Sequence, residues 1–260
     1  MKTKSLGFIG GGRVTKIFLQ AFANKHAEFK SISVYDTNSG VLAALKNQFP
    51  SITTVDSASL AAKQDILFIA LHPPVIMETL EKIQNDVFPD TTVISLAPKI
   101  TIEKIRGKLN TVKMIIRVIP NATSYINEGY NPVCFTKEFP DSDKQLLLKM
   151  LGLLGHTFEV VENKLEGYAI MSAMLPTYFW FQWKELAEIG QQIGLNENES
   201  KDSIHETLYA SLNLMYKSGL TAQEVMDLIP VKPISEHESQ IADIYKTKLI
   251  GLFEKIKPVP

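Results

Sequence analysis

Gly7-Phe8-Ile9-Gly10-Gly11-Gly12-Arg13-Val14-Thr15 is the stretch that decides how the rest of the chain is read. Leu6–Ile9 has the character of a short buried strand. From Val14 to Asn24, Ile17, Phe18, Ala21 and Phe22 recur on one helical face. The glycines therefore occupy a strand-to-helix turn. Gly10 lets the chain leave the strand sharply, and Gly12, with no side chain, allows a pyrophosphate to approach the backbone. The helix that follows offers free N–H groups and a partial positive charge to that anion. Thr15 stands at the third position of the G-x-G-x-x-G pattern, which predicts slightly looser helix–strand packing. A P-loop is excluded, because Arg13-Val14 takes the place of the Lys-Ser/Thr that phosphate and magnesium require.

Outward from this turn, strand and helix alternate. Further strands are predicted at Ile32–Tyr35, Ile52–Val55, Ile66–Leu71, Thr92–Leu96, Met114–Val118, Pro132–Phe135 and Thr157–Val161. Helices are predicted between them at Ser39–Gln48, Leu60–Ala62, Val75–Gln84, Ile102–Leu109 and Asp141–Leu154. Such alternation with buried strands predicts an α/β fold, a Rossmann-type doubly wound parallel sheet covered on both faces. Asp36 closes the second strand 24 residues after Gly12, near the spacing at which a carboxylate accepts from a ribose hydroxyl. By itself it favours NAD over NADP, a preference that the polar Thr37 and Asn38 soften.

After about Asn163 the strand signals stop. Leu165–Gly194 is a long apolar helical segment that Pro176 must break or kink, and Ser200–Lys217 is a helix stopped by Gly219. Thr221-x-x-Glu224 and Ser235-x-x-Glu238 are capping-box patterns that open two more helices. Two domains are expected: residues 1–163 binding a dinucleotide, and an all-helical 164–260.

Composition narrows the function. The chain has 260 residues, 45% of them hydrophobic, and 27 Lys+Arg against 28 Asp+Glu. A net charge of −1 gives no basic excess for nucleic-acid binding. Cys134 is the only cysteine, so neither an intrachain disulfide nor a multi-thiolate zinc site is expected, and the five histidines show no metal-ligand spacing. The longest purely apolar run, Ile66 to Leu71, falls far short of the roughly 18 residues of a membrane span. The start of the chain is too glycine-rich for a signal peptide, and a cytoplasmic protein is expected. Cys134, on an apolar strand, reads as a buried hydrophobe, not as a nucleophile.

Arg117-Val118-Ile119-Pro120-Asn121 narrows the field further. It resembles the Arg-x-Met-Pro-Asn signature of the pyrroline-5-carboxylate reductase family, which reduces a cyclic imine to proline with NAD(P)H. Other landmarks keep the family's order: Asp65, Pro73, Ser95-Leu96-Ala97-Pro98-Lys99-Ile100 against Ser-x-x-Ala-Gly-Ile, Glu128-Gly129, and Ser172 to Tyr178. The resemblance implies a cofactor site formed by Gly10, Gly11, Gly12, Arg13, Val14, Asp36, Thr37, Leu71, His72, Pro73, Ala97, Pro98 and Asn121. It also implies catalytic roles for Ser172 and Tyr178, and a homodimer or larger assembly built through the helical domain.

The departures lie in the substrate segments. Where the family has Ser-Gly-Ser-Gly-Pro-Ala-Tyr, this chain has Ser172-Ala173-Met174-Leu175-Pro176-Thr177-Tyr178. Where the family has Ser-Pro-Gly-Gly-Thr-Thr, it has Ile229-Pro230-Val231-Lys232-Pro233-Ile234-Ser235. His72 and Pro98 replace a usual Lys and Gly beside the cofactor. Met174, Leu175, Pro176 and Lys232 are therefore the candidate substrate-binding residues, in a pocket smaller or more apolar than the family's. Hydride transfer to a cyclic imine or a related small C=N or C=O substrate is the expected chemistry. The alternative is a catalytically silent dinucleotide-binding sensor that has lost its substrate loops.

Overall fold

The computed structural model describes residues 3–258, and these divide into two compact units. The first runs to Met174 and takes back the chain end from Leu252; the second is Leu175–Gly251. Residues 164–174, expected with the helical part, cluster with the sheet.

The first unit is built on an eight-stranded sheet of order β3-β2-β1-β4-β5-β6-β7-β8. Its strands are β1 (Ser5–Ile9), β2 (Ser31–Tyr35), β3 (Thr53–Thr54), β4 (Ile66–Ile69), β5 (Thr92–Ser95), β6 (Ile115–Val118), β7 (Gly129–Phe135) and β8 (Gly155–Glu159). β1 to β6 are parallel. β7 runs antiparallel to β6, and β8 lies parallel to β7. The expected doubly wound parallel sheet is present in β1 to β6, and the strand direction reverses at β7. The reason is length: residues 119–128 are too few for the dozen or more that a parallel crossover needs, and they hold only a 3₁₀ turn, Ala122–Ile126.

Helices cover both faces: α1 (Arg13–Asn24), α2 (Ser39–Gln48), α3 (Ala58–Ala62), α4 (Pro73–Ile83), α5 (Ile102–Lys108) and α6 (Asp141–Leu151). Side chains alternate along the strands and feed two separate cores. Leu6, Phe8, Phe18, Phe22 and Phe68 lie in one, with the Phe8 and Phe68 rings stacked at 4.4 Å. Ile9, Leu67, Ile69, Ile76 and Leu80 lie in the other. Asp65 ties the start of the sheet together by accepting from the Ser5 N–H at 2.7 Å and the Ser5 hydroxyl at 2.8 Å. Burial pulls its carboxyl upward, but the Ser5 bonds with Lys4 and Lys30 outweigh it and hold the group below the ordinary aspartate range.

The expected break at Pro176 is present. α7 (Leu165–Tyr168) passes into a π-helical turn, Ala169–Ala173, before α8 (Leu175–Gln192) begins. Proline cannot donate to the carbonyl four residues back, which is that of Ser172. The Asn121 Nδ2 donates to that carbonyl instead, at 2.9 Å.

The second unit contains α8, then α9 (Glu197–Lys217), α10 (Ala222–Asp227) and most of α11 (Glu238–Ile256). α9 opens on an Asn196–Glu199 capping box and α10 on the expected Thr221–Glu224 box. Gly219, at φ +83, lies just beyond the end of α9. Among the described residues no helix is long and apolar enough to cross a membrane.

Candidate active site and its relatives

A cavity of about 680 Å³ opens at the C-terminal edge of the parallel strands, where ligands of doubly wound sheets bind. Three segments wall it. The first is the glycine turn and the start of α1, with Gly11, Gly12, Arg13, Val14 and Lys16. The second is α2, through Val41, Ala44, Leu45 and Gln48. The third is formed by the ends of β4 and β5, through Ala70–Pro73 and Leu96–Pro98.

Each part of the turn has a physical reason. Gly10 has φ +103, and a Cβ there would lie 2.3 Å from the Ala70 carbonyl oxygen, so no other residue fits. At Gly12 a Cβ would meet nothing within 4 Å, which leaves the backbone open to a ligand in the cavity. Gly12 caps α1, whose first turn carries no acidic residue, while Arg13 and Lys16 add cationic side chains beside the free N–H groups. Thr15 is fully buried, and its hydroxyl donates to the Gly10 carbonyl at 2.5 Å. The larger residue at the third position thus satisfies a turn carbonyl while it occupies the helix–strand contact.

Nine of the candidate cofactor residues line this cavity: Gly11, Gly12, Arg13, Val14, Leu71, His72, Pro73, Ala97 and Pro98. Gly10 shapes it from beneath. Asp36, Thr37 and Asn121 are not part of the wall. The Asp36 carboxylate accepts from the Gly11 N–H at 2.7 Å and the Asn38 N–H at 2.8 Å, so it braces the glycine turn, and each oxygen keeps a lone pair for a further donor. Asn121 is buried and spends its side chain on Thr123 and on the Ser172 carbonyl. Lys16, Ala70, Leu96 and the α2 side chains Val41, Ala44, Leu45 and Gln48 are wall residues that the sequence reading missed. Only their position just after a glycine turn or at a strand end signalled them.

The β5 loop requires a correction. Six residues from Ser95 to Ile100 set against Ser-x-x-Ala-Gly-Ile place Lys99, not Pro98, opposite the glycine. Lys99 has φ +75, the left-handed conformation that favours glycine.

The candidate catalytic and substrate residues fall in both units. In the first, Ser172 is buried in the π turn and its hydroxyl donates to the Tyr168 carbonyl at 2.8 Å; Met174, the last residue before the second unit, is half-buried. In the second, Leu175, Pro176 and Tyr178 lie in the first turn of α8, and Lys232 is exposed. Burial pushes the Tyr178 phenol above the ordinary tyrosine range, which keeps it protonated and able to donate. Cys134 is buried, and its thiol is pushed up to about 11, chiefly by burial and then by Glu162, so it is not a nucleophile at neutral pH. Among the described residues no cluster of His, Cys, Asp and Glu could hold a metal ion.

With this geometry in hand, three comparisons bear on the chain. Residues 5–99, which contain the glycine turn and the β4 and β5 ends, match the family described as NADP oxidoreductase, coenzyme F420-dependent. The pyrroline-5-carboxylate reductase of Staphylococcus epidermidis is 21% identical over 230 residues, covering 87% of this chain and 84% of its own length. That of Escherichia coli is 24% identical over 228 residues, with the same coverage. The crystal structure of Plasmodium falciparum pyrroline carboxylate reductase with NADP bound shares the fold, with a TM-score of 0.78 at 22% identity over 98% of this chain and 96% of that one. At 21–24% identity the chain is similar in sequence to these pyrroline-5-carboxylate reductases, and it shares the fold of the Plasmodium falciparum enzyme.

Proposed function

We propose that the protein is an NAD(P)H-dependent oxidoreductase resembling pyrroline-5-carboxylate reductase, acting on a cyclic imine or a related small C=N or C=O compound. The cavity carries this reading: a helix N-terminus without a side-chain cap, flanked by Arg13 and Lys16, faces an opening that Gly12 leaves clear. Those residues fit a dinucleotide. The α1 N–H groups and the two cations would hold its phosphates, with Asp36 keeping the turn in shape. When held there, a reduced nicotinamide would be the source of the hydride for the electrophilic carbon. The task of the chain is then to hold that carbon within about 3–3.5 Å and to exclude competing geometries. A protonated imine nitrogen needs no strong acid. Where the substrate does need a proton, Tyr178 is the candidate donor, because its phenol stays protonated. Ser172 is assigned to positioning, since its hydroxyl is already committed to Tyr168. Met174, Leu175, Pro176 and Lys232 are assigned to substrate selection, since the first two are larger and more apolar than the Gly/Ser-rich pattern of the family.

The proposal extends to a cytoplasmic protein in proline biosynthesis or a related imine reduction, assembled as a homodimer or larger homo-oligomer through Leu175–Gly251. In that unit Phe181, Ile193, Tyr216, Ile229 and Val231 are each more than two-thirds exposed. This apolar exposure supports a surface covered by a second copy of the chain.

The test is a fluorescence titration of the purified chain with NADPH and with NADH. Pyrroline-5-carboxylate and a panel of cyclic imines are then added while the reduced-nicotinamide absorbance is followed. Binding with turnover of at least one imine is expected. Binding without turnover of any would favour the silent binder, and absence of binding would refute both.

A further inference from the structure

Lys99 follows Pro98 at the rim of the cavity in a left-handed conformation, φ +75, that a residue with a side chain keeps only when its surroundings hold it there. What holds it is Glu166. Oε1 of Glu166 accepts from the Lys99 N–H at 3.0 Å, and the glutamate is 1% exposed. The same oxygen receives Nη2 of Arg117 at 2.5 Å, and the Arg117 side chain is fully buried. Nη1 of Arg117 reaches Oε1 of Glu162 at 3.0 Å, and that oxygen accepts from the N–H of Ile102 at 2.7 Å, where α5 begins. Two carboxylates hung on one buried guanidinium therefore grip residues 99 and 102, both ends of the short segment behind the cavity wall.

Stability alone is a poor reason for such a cluster. Burying charges costs as much as their attraction returns, and well-packed apolar residues do as well or better. Among the described residues the cluster is also incompletely satisfied: Arg117 Nε and Glu166 Oε2 have no hydrogen-bond partner. Geometry is what the cluster supplies. A charged acceptor held by a rigid guanidinium, itself anchored by Glu162 through its other amino group, holds the Lys99 N–H more firmly than a neutral group would. Glu166 also sits on α7, directly before the π turn that carries Ser172, so it joins the β5 loop to that turn.

We propose that Glu166 is a positioning residue for the cofactor: by holding Lys99 left-handed it keeps Ala97 and Pro98 in place as cavity wall. This rests on the reading of the cavity as the dinucleotide site. The test uses the full-length chain and NADPH as the probe. Glu166→Asp keeps the negative charge beside Arg117 but is one methylene too short to reach Arg117 and the Lys99 N–H together. The variant is expected to remain folded by circular dichroism and to bind NADPH about tenfold more weakly, the scale of one charged hydrogen bond. Adding Lys99→Gly, which accepts φ +75 without help, is expected to bring affinity back to within about threefold of wild type. A purely structural glutamate would lower the thermal midpoint, leave the affinity of the folded variant unchanged and gain nothing from Lys99→Gly. A folded Glu166→Asp protein that binds NADPH as wild type does overturns the proposal. If that variant does not fold, amide exchange on the wild-type chain decides. Slow exchange at Lys99, slowed further by NADPH, supports the proposal, and exchange at open-loop rates indifferent to NADPH overturns it. If the wild-type chain binds neither NADPH nor NADH, the cavity assignment itself falls and takes the proposal with it, an outcome distinct from failure of the Glu166 variants alone.

Discussion

The two units solve the same problem, burying apolar surface, to very different degrees. In the first, both faces of the sheet are covered and side chains from Leu6 to Ala169 are buried in two clusters. In the second, Gly190 is the one buried residue of α8 and Ser200 that of α9, and α10 and α11 have none among the described residues. Internal order within the second unit is nonetheless definite. Phe179 and Trp183 stack at 6.1 Å, Tyr178 approaches Tyr245 at 6.2 Å, and two capping boxes close the starts of α9 and α10. The comparison teaches that a complete hydrophobic core is local to the sheet, whereas the helical unit has the secondary structure of a folded domain without the buried volume of one.

The strongest way to break the comparison is at the sheet. Gly10→Ala forces a side chain into a positive-φ turn and against the Ala70 carbonyl, and is expected to cost about 3 kcal/mol or more of stability together with cofactor binding. Chemical denaturation of the variant measures it; a midpoint shift worth less than about 1 kcal/mol would mean that the turn is far less constrained than its geometry states. In the helical unit the expectation is reversed. Ile193→Asp, at a side chain 75% exposed, is expected to change monomer stability by less than about 0.5 kcal/mol yet to shift the protein towards smaller species in light scattering. An unchanged molar mass would show that this part of the surface is not covered by a second copy.

The same contrast governs what the sequence revealed. Most of the eight strands are legible as short apolar runs bounded by polar residues, β3 (Thr53-Thr54) and β8 only as β-branched or aromatic residues in the alternation, and the glycine turn is legible because its conformational demands admit few residue types. The direction of β7 does not follow from strand–helix alternation; the ten-residue link after Val118, too short for a crossover helix, is what carries it. Asn121 was singled out from its motif, but its task was not: a side chain filling the acceptor that Pro176 vacates, 51 positions away from its carbonyl partner, leaves no periodic trace. Glu166 was invisible for the same reason, since it acts on Lys99 across 67 positions. Burial of a charged residue is a property of the fold, and nothing in the neighbourhood of Glu166 along the chain announces it.

Gly12 gives the most direct test of the central claim, that the cavity beside the glycine turn is the dinucleotide site. Its Cβ position faces open space, so Gly12→Val is expected to change stability by no more than about 1 kcal/mol while placing two methyl groups where the phosphates must approach. Titration of NADPH against the wild-type and Gly12→Val proteins measures the consequence. The account predicts tight binding by the first and a loss of about a hundredfold or more by the second at equal foldedness. Equal affinity of the two proteins for NADPH would contradict it.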